Sequence, residues 1–413
     1  MRYLVAVAVV MCAVSGPALG QGTFPLEFRE SKMEETPALG ETYCSCSRSV
    51  GKPDAVGSVP GNLPEQITYF RFGPDDAATW VLATSGTKPV LYVDSDRDGN
   101  LAEETPVSGT RGESGITFAG ASVPGADGRS VRVRMNSHTR EASQAPGCLH
   151  MAAAGYRTGQ VRLAGKTYRV AVIDGDLSGR YDDVPAGPLP DRRVDAVVFD
   201  RNGNGQFERF DPTGNPPEWS PLAKALAVDG AWYAVTVAAD GSKIDLSPTQ
   251  PTYGHLDLGP HRLTLGAFSD FGYQRIESQG GKVRVPAGRY AAVSLELLKS
   301  DGTADWRLQL ARDPGRLGAF VVEAGQTFSM PLGPPLVPTA GVEQTEGVVT
   351  TSNLVGPDRR SIPIVRLDYR LEGRSGERYA PAVMKGSTRV PPPEVEIVDS
   401  TGKVIYSGKF AYG

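Results

Sequence analysis

Val131-Arg132-Val133-Arg134-Met135 alternates apolar and charged residues without a break. That period of two fits a strand with one face on a core and the other in water, and it sets the fold class as β. Runs of the same kind lie on both sides: Ile67–Phe72, Thr79–Ala83, Val90–Val93, Tyr168–Ile173, Val194–Phe199 and Trp232–Val237. A second series covers Arg262–Leu265, Lys282–Val285, Ala291–Leu298, Trp306–Leu310 and Ala319–Val322, separated by turn signals such as Gly280-Gly281, Asp301-Gly302 and Asp313-Pro-Gly315. The last series, Ile364–Tyr369, Val395–Val398 and Val404–Tyr406, turns at Ser400-Thr-Gly402. Only the short Leu/Ala/Lys stretch Pro221 to Val228 suggests a helix.

Composition agrees with this reading. The 413 residues include 49 Gly and 33 Pro, well above their usual joint share of about 12%. Strands joined by many turns need such residues, and long helices do not. The expected architecture is mainly β, a multi-domain β-sandwich with immunoglobulin-like modules towards the C-terminus and Asp-rich loops at strand ends. The expected division is a leader at 1–20, an irregular lead-in at 21–64 and a β-rich domain with the Asp-rich loops at 65–254. A sandwich-like domain at 255–338 and a small immunoglobulin-like domain at 339–413 complete it. The stiff stretch Pro331-Leu-Gly-Pro-Pro-Leu-Val-Pro338 suits a linker or a sheet edge.

The leader carries one positive charge at Arg2, an apolar run from Leu4, a break at Gly16-Pro17 and a small-x-small site ending at Gly20. Those are the parts of a cleavable secretory signal. The run is too short for a stable membrane anchor, which needs about 20 residues. Met11 before Cys12 argues against a lipid anchor. The expected product is secreted, periplasmic or held at the cell surface after cleavage near Gly20, with no membrane span in the mature chain. With 43 basic and 47 acidic residues and a net charge of −4, nothing in the charge balance fits nucleic acid or anionic lipid.

Three strands run directly into acidic turns. The first turn is Asp94-Ser-Asp96-Arg-Asp98-Gly99-Asn100-Leu101, and the second is Asp174-Gly-Asp176-Leu-Ser178-Gly179-Arg-Tyr181. The third is Asp200-Arg-Asn202-Gly-Asn204-Gly205-Gln206-Phe207, continuing to Asp211. Each places oxygen-bearing side chains at positions 1, 3 and 5, glycine at 6 and an apolar residue at 8. Alternate residues of a tight turn can aim their oxygens at one centre, and calcium takes about six to eight oxygen ligands. On these residues the third loop resembles the calcium loops of EF-hands and, more closely, of bacterial dockerin repeats. The resemblance implies calcium as a structural ion, held by Asp200, Asn202, Asn204, the Gln206 carbonyl and Asp211. By extension it implies Asp94, Asp96, Asp98 and Asn100 in the first loop, and Asp174, Asp176 and Ser178 in the second. It covers about a dozen residues per loop. The departures are that these loops leave strands rather than enter helices, and that position 12 is Thr105 in loop one and Pro185 in loop two. Acids stand nearby at Glu104, Asp182 and Asp183.

Cysteine use allows two readings. An oxidising compartment favours a bridge from the Cys44-Ser-Cys46 pair to Cys148. Alternatively, those three cysteines with His150 would supply four thiolate and imidazole ligands for zinc or copper(I). The four histidines form no His-Glu-x-x-His motif, and the sequence holds no nucleophile elbow, phosphate-cradling loop or dinucleotide fingerprint. The leading expectation is a non-catalytic scaffold or binding protein stabilised by calcium. A hydrolase of extracellular polymer using acidic residues is the alternative, as is a module that binds an extracellular polysaccharide or a cell-surface protein.

Overall fold

A computed structural model describes residues 21–31, 44–49, 51–63, 66–73, 78–85, 87–113, 115–125, 130–137, 148–185, 194–208, 218–349 and 360–410. The signal sequence and Asp211 lie outside them. The chain is mainly β, and among the described residues its one helical element is a single 3-10 turn, Arg316–Gly318. No helix there is long and apolar enough to cross a membrane.

The first body is a closed eight-stranded barrel. Its strands are, in spatial order, Leu149–Ala153, Cys44–Ser49, Ile67–Phe72, Thr79–Thr84, Val90–Val93, Val107–Gly112, Gly115–Pro124 and Ser130–Ser137. Alternation puts Val131, Val133 and Met135 inside, against Phe70, Val81, Leu91 and Phe118. Closure removes the edge strands that an open sheet would leave for aggregation.

The second body consists of two sheets that share one core. A five-stranded sheet runs Trp219–Pro221, Ala196–Phe199, Lys166–Ile173, Gly155–Leu163, Glu27–Glu30. A four-stranded sheet runs Gly22–Pro25, Lys243–Thr249, Ala231–Val237, Ala225–Val228. Val170, Val172 and Val197 of the first meet Tyr233, Ile244 and Leu246 of the second. Two expectations fail here. The lead-in is not irregular throughout: it supplies three strands, each with a partner far along the chain, and Cys44–Ser49 pairs with the nearby Ile67–Phe72 as well. The suspected helix from Pro221 to Val228 instead holds the end of one strand, Trp219–Pro221, and the whole of another, Ala225–Val228. Asp229 (φ 47°) and Gly230 (φ 82°) turn Ala225–Val228 back onto Ala231–Val237, and an Asp-Gly pair is a strong two-residue hairpin signal.

The third body centres on a ten-stranded sheet and a three-stranded one, packed around Leu256, Leu265, Leu297, Leu308 and Tyr379. Val337–Val349 pairs with Arg360–Glu372, which in turn pairs with Glu377–Tyr379 beside Asp305–Gly315. The boundary expected at residue 338 therefore falls inside a continuous sheet. Among the described residues beyond 338, the hairpin Glu394–Val398 and Val404–Lys409 forms a sheet of its own.

Candidate metal centre

Loop two is the most deeply set. Lys166–Ile173 pairs antiparallel with Ala196–Phe199, and the last registered pair is Ile173 with Ala196. One place further on, Asp174 and Asp195 stand across from each other. Gly175 makes that approach possible: a Cβ at this position would lie 1.9 Å from the Val194 carbonyl oxygen. One carboxylate oxygen from each of Asp174, Asp176 and Asp195 lies within 4.8 Å of the others. Asp174 and Asp195 are buried and Asp176 is exposed, so the group opens to solvent on one side.

Backbone donors fix these carboxylates. The Ser178 N–H donates to Asp174 Oδ1 (3.0 Å) and the Gly179 N–H to Asp174 Oδ2 (2.9 Å). Asp195 accepts from the N–H groups of Gly175 (3.2 Å) and Asp183 (2.8 Å). Asp183 in turn accepts from the Ser178 hydroxyl at 2.7 Å. Arg180 pairs with Asp182 at 2.8 Å and with Asp183 at 3.6 Å. Among the described residues no basic side chain reaches ion-pairing distance of Asp174, Asp176 or Asp195. Burial raises the Asp195 carboxyl to about 9, with Asp174 and Asp176 adding to the rise. Asp174 is raised for the same first reason, burial, against the pull of the Gly179 N–H. Both groups resist carrying unneutralised charge.

Loop one gathers Asp94, Asp96 and Asp98, again with oxygens within 4.8 Å of one another. Asp94 is buried; Asp96 and Asp98 are exposed. Burial raises the Asp94 carboxyl, and repulsion from Asp96, Asp98 and Glu104 adds to it. Glu104 folds back over the turn and accepts from the Ser95 N–H at 2.6 Å. Gly99, at φ 79°, lets the chain press against Ala55, whose carbonyl oxygen would sit 2.4 Å from an added Cβ. The anchor residue Leu101 is fully buried and donates its N–H to the Ser58 carbonyl.

Loop three keeps its spacing with fewer charges. Asp200 is buried and accepts from the N–H groups of Gly203 (2.8 Å) and Gly205 (2.9 Å). Asn202 Oδ1 accepts from the Asn204 N–H, and Asn204 Oδ1 from the Gln206 N–H. Both side-chain amides donate to Glu208 Oε1, at 2.7 and 3.2 Å. Buried Glu218 closes the base, accepting from the N–H groups of Arg201 and Glu208. The Gln206 carbonyl has no described partner role, and the expected ligand Asp211 lies outside the described residues.

No known protein settles what these loops hold. Family models, curated proteins and solved structures were all compared with the chain, and none matches.

The sequence pattern named Asp94, Asp96, Asp98, Asp174 and Asp176, which the fold does bring together. It missed Asp195, which completes loop two from the neighbouring strand, as well as Glu208 and Glu218. The available signal was an aspartate inside the apolar run Val194–Phe199, where a charge is costly unless something neutralises it. Of the cysteine expectations, a bridge from Cys46 to Cys148 is not formed, and the Cys44 side chain lies outside the described residues. Cys46 points into the barrel core and Cys148 is half-buried, with no bond between them. Leu149, next to Cys148, is the residue registered against Cys46. Alternation therefore puts Cys148 and His150 on the opposite sheet face from Cys46, apart from any shared metal.

Proposed function

We propose that this chain is a secreted, calcium-stabilised β-scaffold in which loop two is the principal ion site. One observation carries the reading. Asp174, Asp176 and Asp195 converge within 4.8 Å, two of them buried, and among the described residues no basic side chain pairs with them. A bound dication reverses that local electrostatics. All the candidate ligands are oxygens, which suits calcium better than zinc or copper. Asp183 and Ser178 adjoin the group, their N–H groups bonded to Asp195 and Asp174 and the Ser178 hydroxyl to Asp183.

Loops one and three fit as further sites. Loop three keeps the dockerin-like arrangement of Asp200, Asn202 and Asn204, and Glu208 supplies an acid near its rim. The shared core of the two facing sheets supports a sandwich reading for the second body. Export matters to this proposal, since extracellular sites of this kind bind at about 10⁻⁴ to 10⁻³ M and would stand empty in a cytoplasm.

An ion that binds only the native state adds about 2.7 kcal/mol at a hundredfold excess over its Kd. The melting temperature of the mature chain should therefore rise by several degrees from chelator to millimolar calcium. An unchanged melting temperature would return the three loops to being turns.

A further inference from the structure

Between the second and third bodies lies a cavity of about 540 Å³, within the range of about 300–1,000 Å³ that small-molecule sites occupy. Phe199 and Trp219 line one side, the Asp229-Gly230 turn a second, and the segment Phe271–Glu277 the third. The bodies are fastened at this seam. The Tyr273 N–H donates to Ser220 Oγ at 3.0 Å, and Trp219 packs on Phe268 with ring centres 5.6 Å apart. Phe271 is held edge-on by Trp232 at 5.5 Å. A site with walls fixed in this way loses little entropy on binding.

Its polar groups ask for a particular partner. Arg201 Nη2 donates to the Ala227 carbonyl at 2.8 Å, while its Nε is buried with no hydrogen-bond partner. The other charges are already balanced: Arg275 meets Glu277 at 3.0 Å, and Asp229 Oδ2 accepts from Tyr168 and Lys166. Arg201 has no ion-pair partner among the described residues. Two residues that line the same space keep an acceptor. Gln274 spends its Nε2 on the Phe271 carbonyl, leaving Oε1, and Asp229 keeps Oδ1.

We propose that this cavity binds a small sugar carboxylate, its carboxylate on Arg201, its hydroxyls on Gln274 and Asp229, and its apolar face against Phe271 and Tyr273. An anion answers the guanidinium, whose planar fork matches a carboxylate. Hydroxyl donors answer the two acceptors, and the rings answer a flat C–H face. The proposal stands apart from the calcium reading, although Arg201 is the second residue of loop three.

The test is calorimetric titration of the full mature chain, in about 1 mM calcium, with glucuronate as the probe and glucose and inorganic sulfate as controls. Glucuronate should saturate with a Kd near 1 mM or tighter, and both controls should bind at least about tenfold more weakly. Arg201→Gln should weaken glucuronate binding at least about tenfold, the loss expected for one charge-assisted contact. Gln274→Ala should cost several-fold. If Arg201→Gln fails to fold, Arg201→Lys keeps the charge without the fork and should still bind several-fold more weakly. No saturation at about 20 mM glucuronate would overturn the proposal. Equal binding of sulfate or glucose, or unchanged affinity in the Arg201 variants, would do the same.

Discussion

Asp174 and Asp195 face each other one place beyond the Ile173–Ala196 pair, both buried, with carboxylate oxygens within 4.8 Å. Two like charges at that distance in a low-dielectric site repel strongly. The native chain must take up protons or a cation there, and the following expectations come from that choice.

Without calcium, the protein should lose stability as pH rises. Asp195 is raised to about 9 and Asp174 is raised too, both chiefly by burial. From the ordinary carboxylate range up to about 9, the native state therefore holds protons that the unfolded chain has released. Stability falls with pH wherever the native state binds more protons. This contribution is fully favourable below the unfolded pKa and is lost on rising through the folded one. Calcium displaces those protons, so the gap between melting temperatures in calcium and in chelator should be wider at pH 9 than at pH 6. A gap that narrows with pH would contradict this account.

Asp195→Asn removes one charge and one ligand oxygen from loop two while leaving loops one and three intact. Calcium affinity at loop two should fall at least about tenfold, since a charged contact is worth roughly 1.5–3 kcal/mol. Titration with a luminescent lanthanide would resolve the loss of one class of site.

Gly175→Ala should destabilise the second body by about 2–4 kcal/mol, the size of a severe steric change in a packed region. An added Cβ would meet the Val194 backbone oxygen at 1.9 Å, so the strand bearing Asp195 must move away. Urea unfolding would measure the loss, and the calcium-dependent part of the stability should shrink with it.

Asp200→Ala removes the first residue of loop three, whose two oxygens hold the Gly203 and Gly205 N–H groups. It should cost about 0.5–1.5 kcal/mol even in chelator, because the hydrogen bonds that hold this part-buried turn are lost. Magnesium should replace calcium poorly in the wild-type chain, as its small octahedral shell suits a flexible oxygen ring badly. Thermal melts in each ion would check both expectations.

The strands were legible wherever one face is buried and the other wet, as in Val131–Met135. They were hidden where the partner is remote: Gly22–Pro25 pairs with Lys243–Thr249, and four residues carry too little pattern to announce that. Closure into a barrel was also invisible, since alternation reports a buried face but not the curvature of the sheet behind it. At the site, spacing found the acids that share a loop. Asp195 escaped because it comes from a different strand, and only the register of Ile173 with Ala196 brings it across. The Asp229-Gly230 hairpin was readable, but the Leu/Ala content of Pro221 to Val228 obscured it.

The most direct measurement is anomalous X-ray diffraction from crystals of the mature chain grown in calcium. The account predicts a strong anomalous peak bounded by Asp174, Asp176 and Asp195, within about 2.3–2.6 Å of their oxygens. A map without density there, in crystals whose calcium exceeds about 10 mM, would contradict it.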